Sequence, residues 1–377
     1  MWQFSASPLR FSFGLSLAAI VGAIGSPLSG QTPGEISEAP PPPPAEDLNR
    51  PTADGVPTVR ARSAPTFILY FENDYFGGTD RHYTNGVKFA WLTGDLGTWG
   101  QSGWRRSFLE ALPFVNRPGG QKNLAFAIGQ NIYTPQDTDR VNPDPTDRPY
   151  AGWTYAELSF LSKTATVADT LVFQVGMVGP HSYADDTQRL IHEWINDSRP
   201  NGWEYQLQDE LGVNIIYERK WRTFARTAGN GVGIDLIPHV GASVGNVSTY
   251  ANAGATLRMG FNLPSDFGVN LIRPGGLTSG PIDDLDPRVA GRNGWSFFIF
   301  GGADGRAVAR DIFLDGNTWK DSREVDKEPF VSDVSYGFGV VRHTFQLTFT
   351  QVIRTREFKA QTTNHNDFGS VTLSWTF

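Results

Sequence analysis

Beyond its first thirty residues, this 377-residue chain has no uncharged apolar run long enough to cross a bilayer as a helix, which needs about 20 residues. From Thr66 onward it breaks instead into runs near ten residues long in which apolar and polar side chains alternate. These runs fall at 66–74, 83–93, 123–132, 152–162, 169–179, 209–222, 231–245, 250–262, 294–303, 306–314, 330–341, 344–355 and 366–377. Ten residues is the length a tilted strand needs to cross a membrane, and aromatic residues crowd the ends of the runs, as at Trp375-Thr376-Phe377. In hydrocarbon every backbone N–H and C=O must be paired within the protein, so a membrane fold built on such runs has to be a closed barrel; outside a membrane, the same runs suit a soluble β-sandwich or barrel.

Bacterial single-chain barrels have an even number of strands with both ends on the periplasmic side, yet thirteen runs occur. Alternation passes through Gly301, Gly302 and Gly305 without a change of phase, so 294–303 and 306–314 merge into one bent strand. The expected fold is all-β: an antiparallel transmembrane barrel of about 12 strands over 65–377, with a short helix in an extracellular loop. External loops then fall at 75–82, 133–151, 180–208, 246–249, 315–329 and 356–365, and two long internal connections at 94–122 and 263–293. Trp104 to Leu112 reads as a short amphipathic helix in the first of these.

The amino terminus points to export. Arg10 precedes the apolar stretch Phe11–Ile24, and small residues follow up to Gly30, the pattern of a signal peptide over 1–30 cleaved near Gln31. Residues 31–64, with Pro40 to Pro44 in a row, form a linker too poor in apolar surface to fold. A net charge of −7 provides no basic stripe, and no Walker or Rossmann glycine pattern occurs, which together exclude nucleic acid and nucleotides as expected ligands. The chain has no cysteine, hence no disulfide and no thiolate chemistry.

Polar residues capable of chemistry collect at the external ends of the strands. Tyr70 to Trp91 pairs two alternating runs, with Phe67, Leu69 and Phe71 on one face of the first and Val87, Phe89 and Trp91 on one face of the second. Between them Glu72, Asn73 and Asp74 end one strand, Asp80 to His82 form the loop interior, and Tyr83-Thr84 enter the next. Loop 133–151 is dense in Asp and Pro; it suits either hard-cation binding, though without EF-hand spacing, or a stiff surface loop in which Arg148 pairs with a neighbouring Asp. Asp185 to Asn196 reads as a three-turn helix capped by Asp185 or Asp186. On it Gln188, His192 and Asn196 share a face, while Leu190, Ile191, Trp194 and Ile195 form an apolar one for the barrel or for lipid. Imidazole titrates near neutrality and can take a proton from water, and a cation or amide donors can stabilise the oxyanion formed on an ester, so hydrolysis is the chemistry these groups suit. No G-x-S-x-G elbow occurs, leaving water or a hydroxyl such as that of Thr84 to attack.

Glu72-Asn73-Asp74, Thr79-Asp80 before Tyr83-Thr84-Asn85-Gly86, Gln130 to Pro135, Asp147 to Trp153, and Gly176 to Pro180 leading to His192 together resemble the LpxR family of outer-membrane lipid A 3′-O-deacylases. Gly202-Trp203 with Gln206 and Glu210, and Arg354 to Phe358, fit as well, so the resemblance runs from about residue 66 to the end. It implies a twelve-stranded barrel in the outer membrane of a Gram-negative bacterium that removes the 3′-acyloxyacyl group of lipid A, with calcium as cofactor. It also implies roles: His192 as general base, Asn73, Asp74 and Thr84 as catalytic partners, and Asp74 as a metal ligand. Counted forward from Tyr133-Thr134-Pro135 without gaps, the family's catalytic lysine meets Arg140, which keeps the charge but not the proton chemistry. The expected partners are lipopolysaccharide and outer-membrane lipid, with the chain a monomer. Two other readings stay open: an inactive lipid-binding or structural barrel, suggested by Arg140, and a channel, disfavoured by bulky inward residues such as Tyr70 and Trp153.

Overall fold

In a computed structural model, the described residues are 65–74, 82–100, 103–112, 114–195, 200–269, 271–272, 280–289 and 294–377. The expected signal peptide and linker, the loop interior at Asp80 and Arg81, and Asn196 lie outside them. Strands run in chain order as β1 (Thr66–Asn73), β2 (His82–Leu92), β3 (Gln121–Thr134), β4 (Ala151–Lys163), β5 (Val167–Val178), β6 (Glu210–Trp221) and β7 (Thr223–Thr227). They continue as β8 (Val232–Gly245), β9 (Ser248–Phe261), β10 (Trp295–Asp311), β11 (Phe330–Arg342), β12 (Phe345–Thr355) and β13 (His365–Thr376). Each pairs antiparallel with its neighbours; β1 pairs with β13, Thr66 facing Thr376, and β6 pairs with β8, which closes the sheet into a barrel.

The thirteen strands make twelve staves, because β6 and β7 are one stave broken at Arg222, both pairing with β8. The break has a local cause: the register against β8 shifts between Thr223 and Arg226, where Phe224 takes a positive φ of 54°, while the Arg222 side chain donates from Nε to Asp235 (2.8 Å) and from Nη1 to Ser265 (3.0 Å). β10 is a single strand through Gly301, Gly302 and Gly305, as the unbroken phase predicts.

Alternation sorts the side chains. Phe67, Phe89, Trp91, Phe126, Ile128, Phe297, Ile299, Phe338 and Trp375 are exposed on the outer wall, while Tyr70, Lys88, Glu157, Arg258 and Asp333 are buried inside. Rings stack on the outer wall near the barrel's termini, as for Trp91 with Phe126 and Phe345 with Trp375, forming part of an interfacial girdle. The interior carries ion pairs instead, Arg148–Glu357 (3.3 Å), Arg354–Asp333 (2.8 Å) and Arg306–Asp333 (3.3 Å), and a hydrogen bond between His239 Nε2 and Asp304 (2.7 Å). Such buried pairs contribute little net stability over an apolar core, but each misaligned register would leave an uncompensated charge.

The two long connections at the termini end lie on opposite sides of the wall. The one after β9 turns inward: Phe267, Ile272 and Ile282 pack against inward Ile68, Tyr70, Leu92 and Leu161. Lys163 Nζ donates to the carbonyls of Gly280 (2.6 Å) and Pro281 (3.0 Å), and Asp266 sits between Arg258 (2.5 Å) and Arg288 (2.7 Å). The one after β2 carries α1 (Trp104–Ala111) and packs on the outside.

Candidate active site

Asn73 ends β1 with the parity of Phe67, Leu69 and Phe71, so its side chain belongs to the outer wall and not to the lumen. Its cross-strand neighbour is Asn85, which shares the outward parity of Val87, Phe89 and Trp91 and is buried. Thr84 is the extra residue of a bulge: Tyr83 faces Tyr133 and Asn85 faces Ile132, and nothing on β3 faces Thr84. The bulge turns its hydroxyl to the outer side, where Thr84 Oγ1 lies 2.6 Å from Thr134 Oγ1. Asp74 follows directly after Asn73 and is buried.

His192 comes from α2 (Ala184–Ile195), which starts one residue before the expected Asp185. Ala184, Gln188 and His192, one turn apart, are its buried stripe, while Leu190 is 53% exposed. The helix thus turns its Ala–Gln–His stripe to the protein and Leu190 outward. Its seat is the outer face of β3 and β4: Ala184 clusters with Ile132, Tyr150 and Trp203, and Trp203 Nε1 donates to Gln188 Oε1 (2.8 Å). Gly152 makes this possible, because a Cβ there would collide with Ser182 and Ala184. Gln130 fixes the approach from β3 by donating to the carbonyl of Ser182 (2.8 Å).

Arg140 stands apart. It is exposed on the loop after β3, and its Nη1 pairs with Asp144 (3.1 Å). Asp144 is held below the ordinary carboxylate range by the backbone N–H and hydroxyl of Thr146, with Arg140 adding to the effect. Arg148, expected to pair with a neighbouring Asp, pairs instead with Glu357, which lies 209 positions away. Asp147 takes the backbone N–H groups of Gln136 (2.7 Å) and Arg148 (2.8 Å), and burial pushes its carboxyl up. The guanidinium, stacked over Tyr133 at 4.9 Å, thereby ties the loops after β3 and β12 together.

A cavity of about 80 Å³ in the lumen is lined by inward residues including Glu72, Tyr83, Tyr133, Tyr155, Arg354 and Glu357. None of Asn73, Asp74, Thr84, Arg140 and His192 lines it. Asn73 and Thr84 have the outward parity at the rim, and the His192 stripe lies on the same outer side, between α2 and the face of β3 and β4. Thr134 stood out in the sequence only as part of the Tyr133-Thr134-Pro135 motif, and nothing in that motif marks it as the partner of Thr84. Glu72 was seen only as part of a motif, yet it holds the strand end: its Oε2 accepts from Tyr83 (2.9 Å) and its Oε1 from the Ile272 N–H (2.7 Å).

For the expected calcium, Asp74 and the Asn73 amide offer hard oxygens, but among the described residues no group of three or more acidic or histidine ligands stands together. Calcium takes roughly six to eight oxygens, backbone carbonyls, amides and water among them, so Asp74 and the Asn73 amide would hold the ion only together with such groups.

A family model described as "Outer membrane protein LpxR" matches residues 45–377. No curated protein matches the chain. Among solved structures, LpxR from Salmonella typhimurium superposes with a TM-score of 0.66 at 18% identity, covering 83% of this chain and 100% of that one. The β domain of the Bordetella autotransporter Brka gives a TM-score of 0.40 at 9% identity, covering 84% of this chain and 100% of that one. With its closed twelve-stave barrel and a family match over the whole of the barrel and the twenty residues before it, the chain belongs to the LpxR family of outer-membrane proteins.

Proposed function

We propose that this protein is a lipid A 3′-O-deacylase of the outer leaflet. The observation that carries the reading is the outward placement of Asn73, Thr84 and the His192 stripe at the rim, on the wall that faces lipid. His192 takes a proton from water as its oxygen adds to the ester carbonyl carbon. The Asn73 amide and the Thr84 hydroxyl are the donors within the same outer face for the resulting oxyanion. On collapse the bond from carbonyl carbon to sugar oxygen breaks. The imidazolium returns the proton to that oxygen, leaving a free 3′ hydroxyl and a fatty acid, which releases its remaining proton to water. Calcium, with Asp74 among its ligands, is proposed as the ion, and a single chain as the working unit.

Expression in a Gram-negative host followed by mass spectrometry of lipid A tests this. The wild type should strip the 3′-acyloxyacyl group, and His192→Ala should slow release by roughly 10²–10⁴-fold while the barrel still forms. Identical acyl patterns from the two would refute the hydrolase. Arg140, exposed and paired with Asp144, favours a second reading of a lipid-binding barrel without turnover; that version binds lipid A and releases no acyl group.

A further inference from the structure

The outer wall of β3 to β6 continues past the end of β2. Leu92, the last residue of β2, faces Ala125, whereas β3 starts at Gln121. Register places an outward row across this extension, Leu124–Phe160–Leu171–Tyr217, and beyond it a second, Lys122–Ser162–Asp169–Arg219. The first row continues the lipid-facing surface, yet Phe160 and Leu171 are only 9% and 8% exposed. The second puts a carboxylate on the outside of a membrane barrel, where a charge facing lipid is destabilising.

The connection after β2 covers both rows. Its start runs along β3, Thr93 and Leu96 donating their N–H groups to Leu124 and Lys122 (2.8 Å each). Trp99, Leu109, Leu112 and Val115 pack on Leu124, Leu158, Phe160, Leu171 and Tyr217. Phe114 lies 4.6 Å from the Tyr217 ring. Asp169 is fully buried, bonded by Arg117 from the connection, by Arg219 (2.6 Å) and by the Tyr217 hydroxyl (2.6 Å). Leu109 on α1 and Leu112 just past its end face the wall, and the same side of the helix, which helical spacing interrupts with Arg105, continues into Trp104 and Phe108, 75% and 59% exposed. Arg106 and Glu110 pair on the opposite side (2.7 Å). An apolar arc split between a wall and open space, backed by charge, is the pattern of a helix lying in a membrane interface.

We propose that the connection after β2, through its described residues 93–100, 103–112 and 114–120, is a membrane-binding collar. Its partner is the phospholipid of the leaflet at the termini end of the barrel, and Phe108, Phe114 and Trp104 sit at its headgroup boundary. Continuity argues for lipid over a protein partner: the exposed Trp91 and Phe126 of the established lipid-facing wall adjoin the covered rows directly. The collar extends the girdle over a sector where the wall itself turns polar.

The absence of cysteine makes the test direct. Spin labels at Phe108→Cys and, separately, Phe114→Cys are compared in phosphatidylethanolamine/phosphatidylglycerol vesicles with references at Phe126→Cys on the wall and His343→Cys in the turn between β11 and β12. Oxygen contact should exceed contact with a water-soluble nickel chelate at 108 and 114, approaching the value at 126. Nickel access equal to that at 343 would overturn the collar. So would exclusion of both relaxers, which would mean that protein covers the face. As a second readout, Phe108→Asp with Phe114→Asp should slow insertion into the same vesicles several-fold and leave ester hydrolysis in detergent unchanged; unaltered insertion would also count against it.

Discussion

The backbone N–H of Ile272 donates to Glu72 Oε1 over 2.7 Å, fastening the connection that enters the lumen from the termini end to the residue just before Asn73 and Asp74. Glu72 itself has the inward parity, while Asn73 has the outward one. The lumen filling and the outer site are thus joined through one strand end.

Removing that carboxylate should therefore disturb a site it never touches. Glu72→Ala abandons the Ile272 N–H and the Tyr83 hydroxyl, both buried, at a cost of roughly 1–3 kcal/mol for each. We expect a lower melting temperature and a lower kcat with little change in KM, and partial rescue by Glu72→Gln, which keeps an acceptor for Ile272. Unchanged kcat in the alanine variant would remove Glu72 from the positioning of Asn73 and Asp74.

The seat of α2 predicts a cavity-and-bump pair. Gly152→Ala puts a methyl where Ser182 and Ala184 already lie, so α2 must lift and carry His192 with it. Activity should fall at least tenfold, about 1.4 kcal/mol in the barrier, while the barrel still assembles. Adding Ala184→Gly removes one of the clashing atoms and should restore part of the loss. A double variant no better than the single one would show that the helix is not seated through this contact.

Arg140 separates the two functional readings. Its exposed pair with Asp144 is worth at most about 1 kcal/mol, so Arg140→Ala should leave the melting temperature nearly unchanged. In an active deacylase where its charge reaches the substrate, kcat/KM drops in the alanine variant and is held or improved by Arg140→Lys. Equal turnover in all three would place Arg140 outside the reaction and leave the lysine role unassigned.

Much of this architecture was legible before any coordinates. Strict alternation told which residues share a face, and strand parity supplied the count of twelve, with the merged β10 found where the phase never breaks. What could not be read is where the long connections go. Neither Phe267 nor Leu109 differs in kind from a strand residue, yet one fills the lumen and the other covers the outer wall, because long-range packing alone decides between them. The site shows the same division. Asn73, Thr84 and His192 stood out by chemistry and motif, but the partner of Arg148 is not the neighbouring Asp that the sequence offers: it is Glu357, 209 positions off, which only the closed barrel brings near.

Acid should loosen the lumen filling through Asp266. Burial pushes its carboxyl up, but the guanidiniums of Arg258 and Arg288 outweigh this and hold it below the ordinary value near 4. Because the native value is depressed, the stabilisation is fully present above the unfolded value and is lost as pH falls through the native one. Wild-type melting temperature should therefore drop steeply below about pH 4. Asp266→Asn should already be destabilised at neutral pH, by roughly 3–5 kcal/mol, since two buried arginines lose their shared partner, and its acid slope should be shallower. Melting curves followed by near-ultraviolet circular dichroism from pH 7 to pH 3 distinguish the outcomes; equal slopes for the two proteins would show that the Asp266 bridge does not titrate with unfolding.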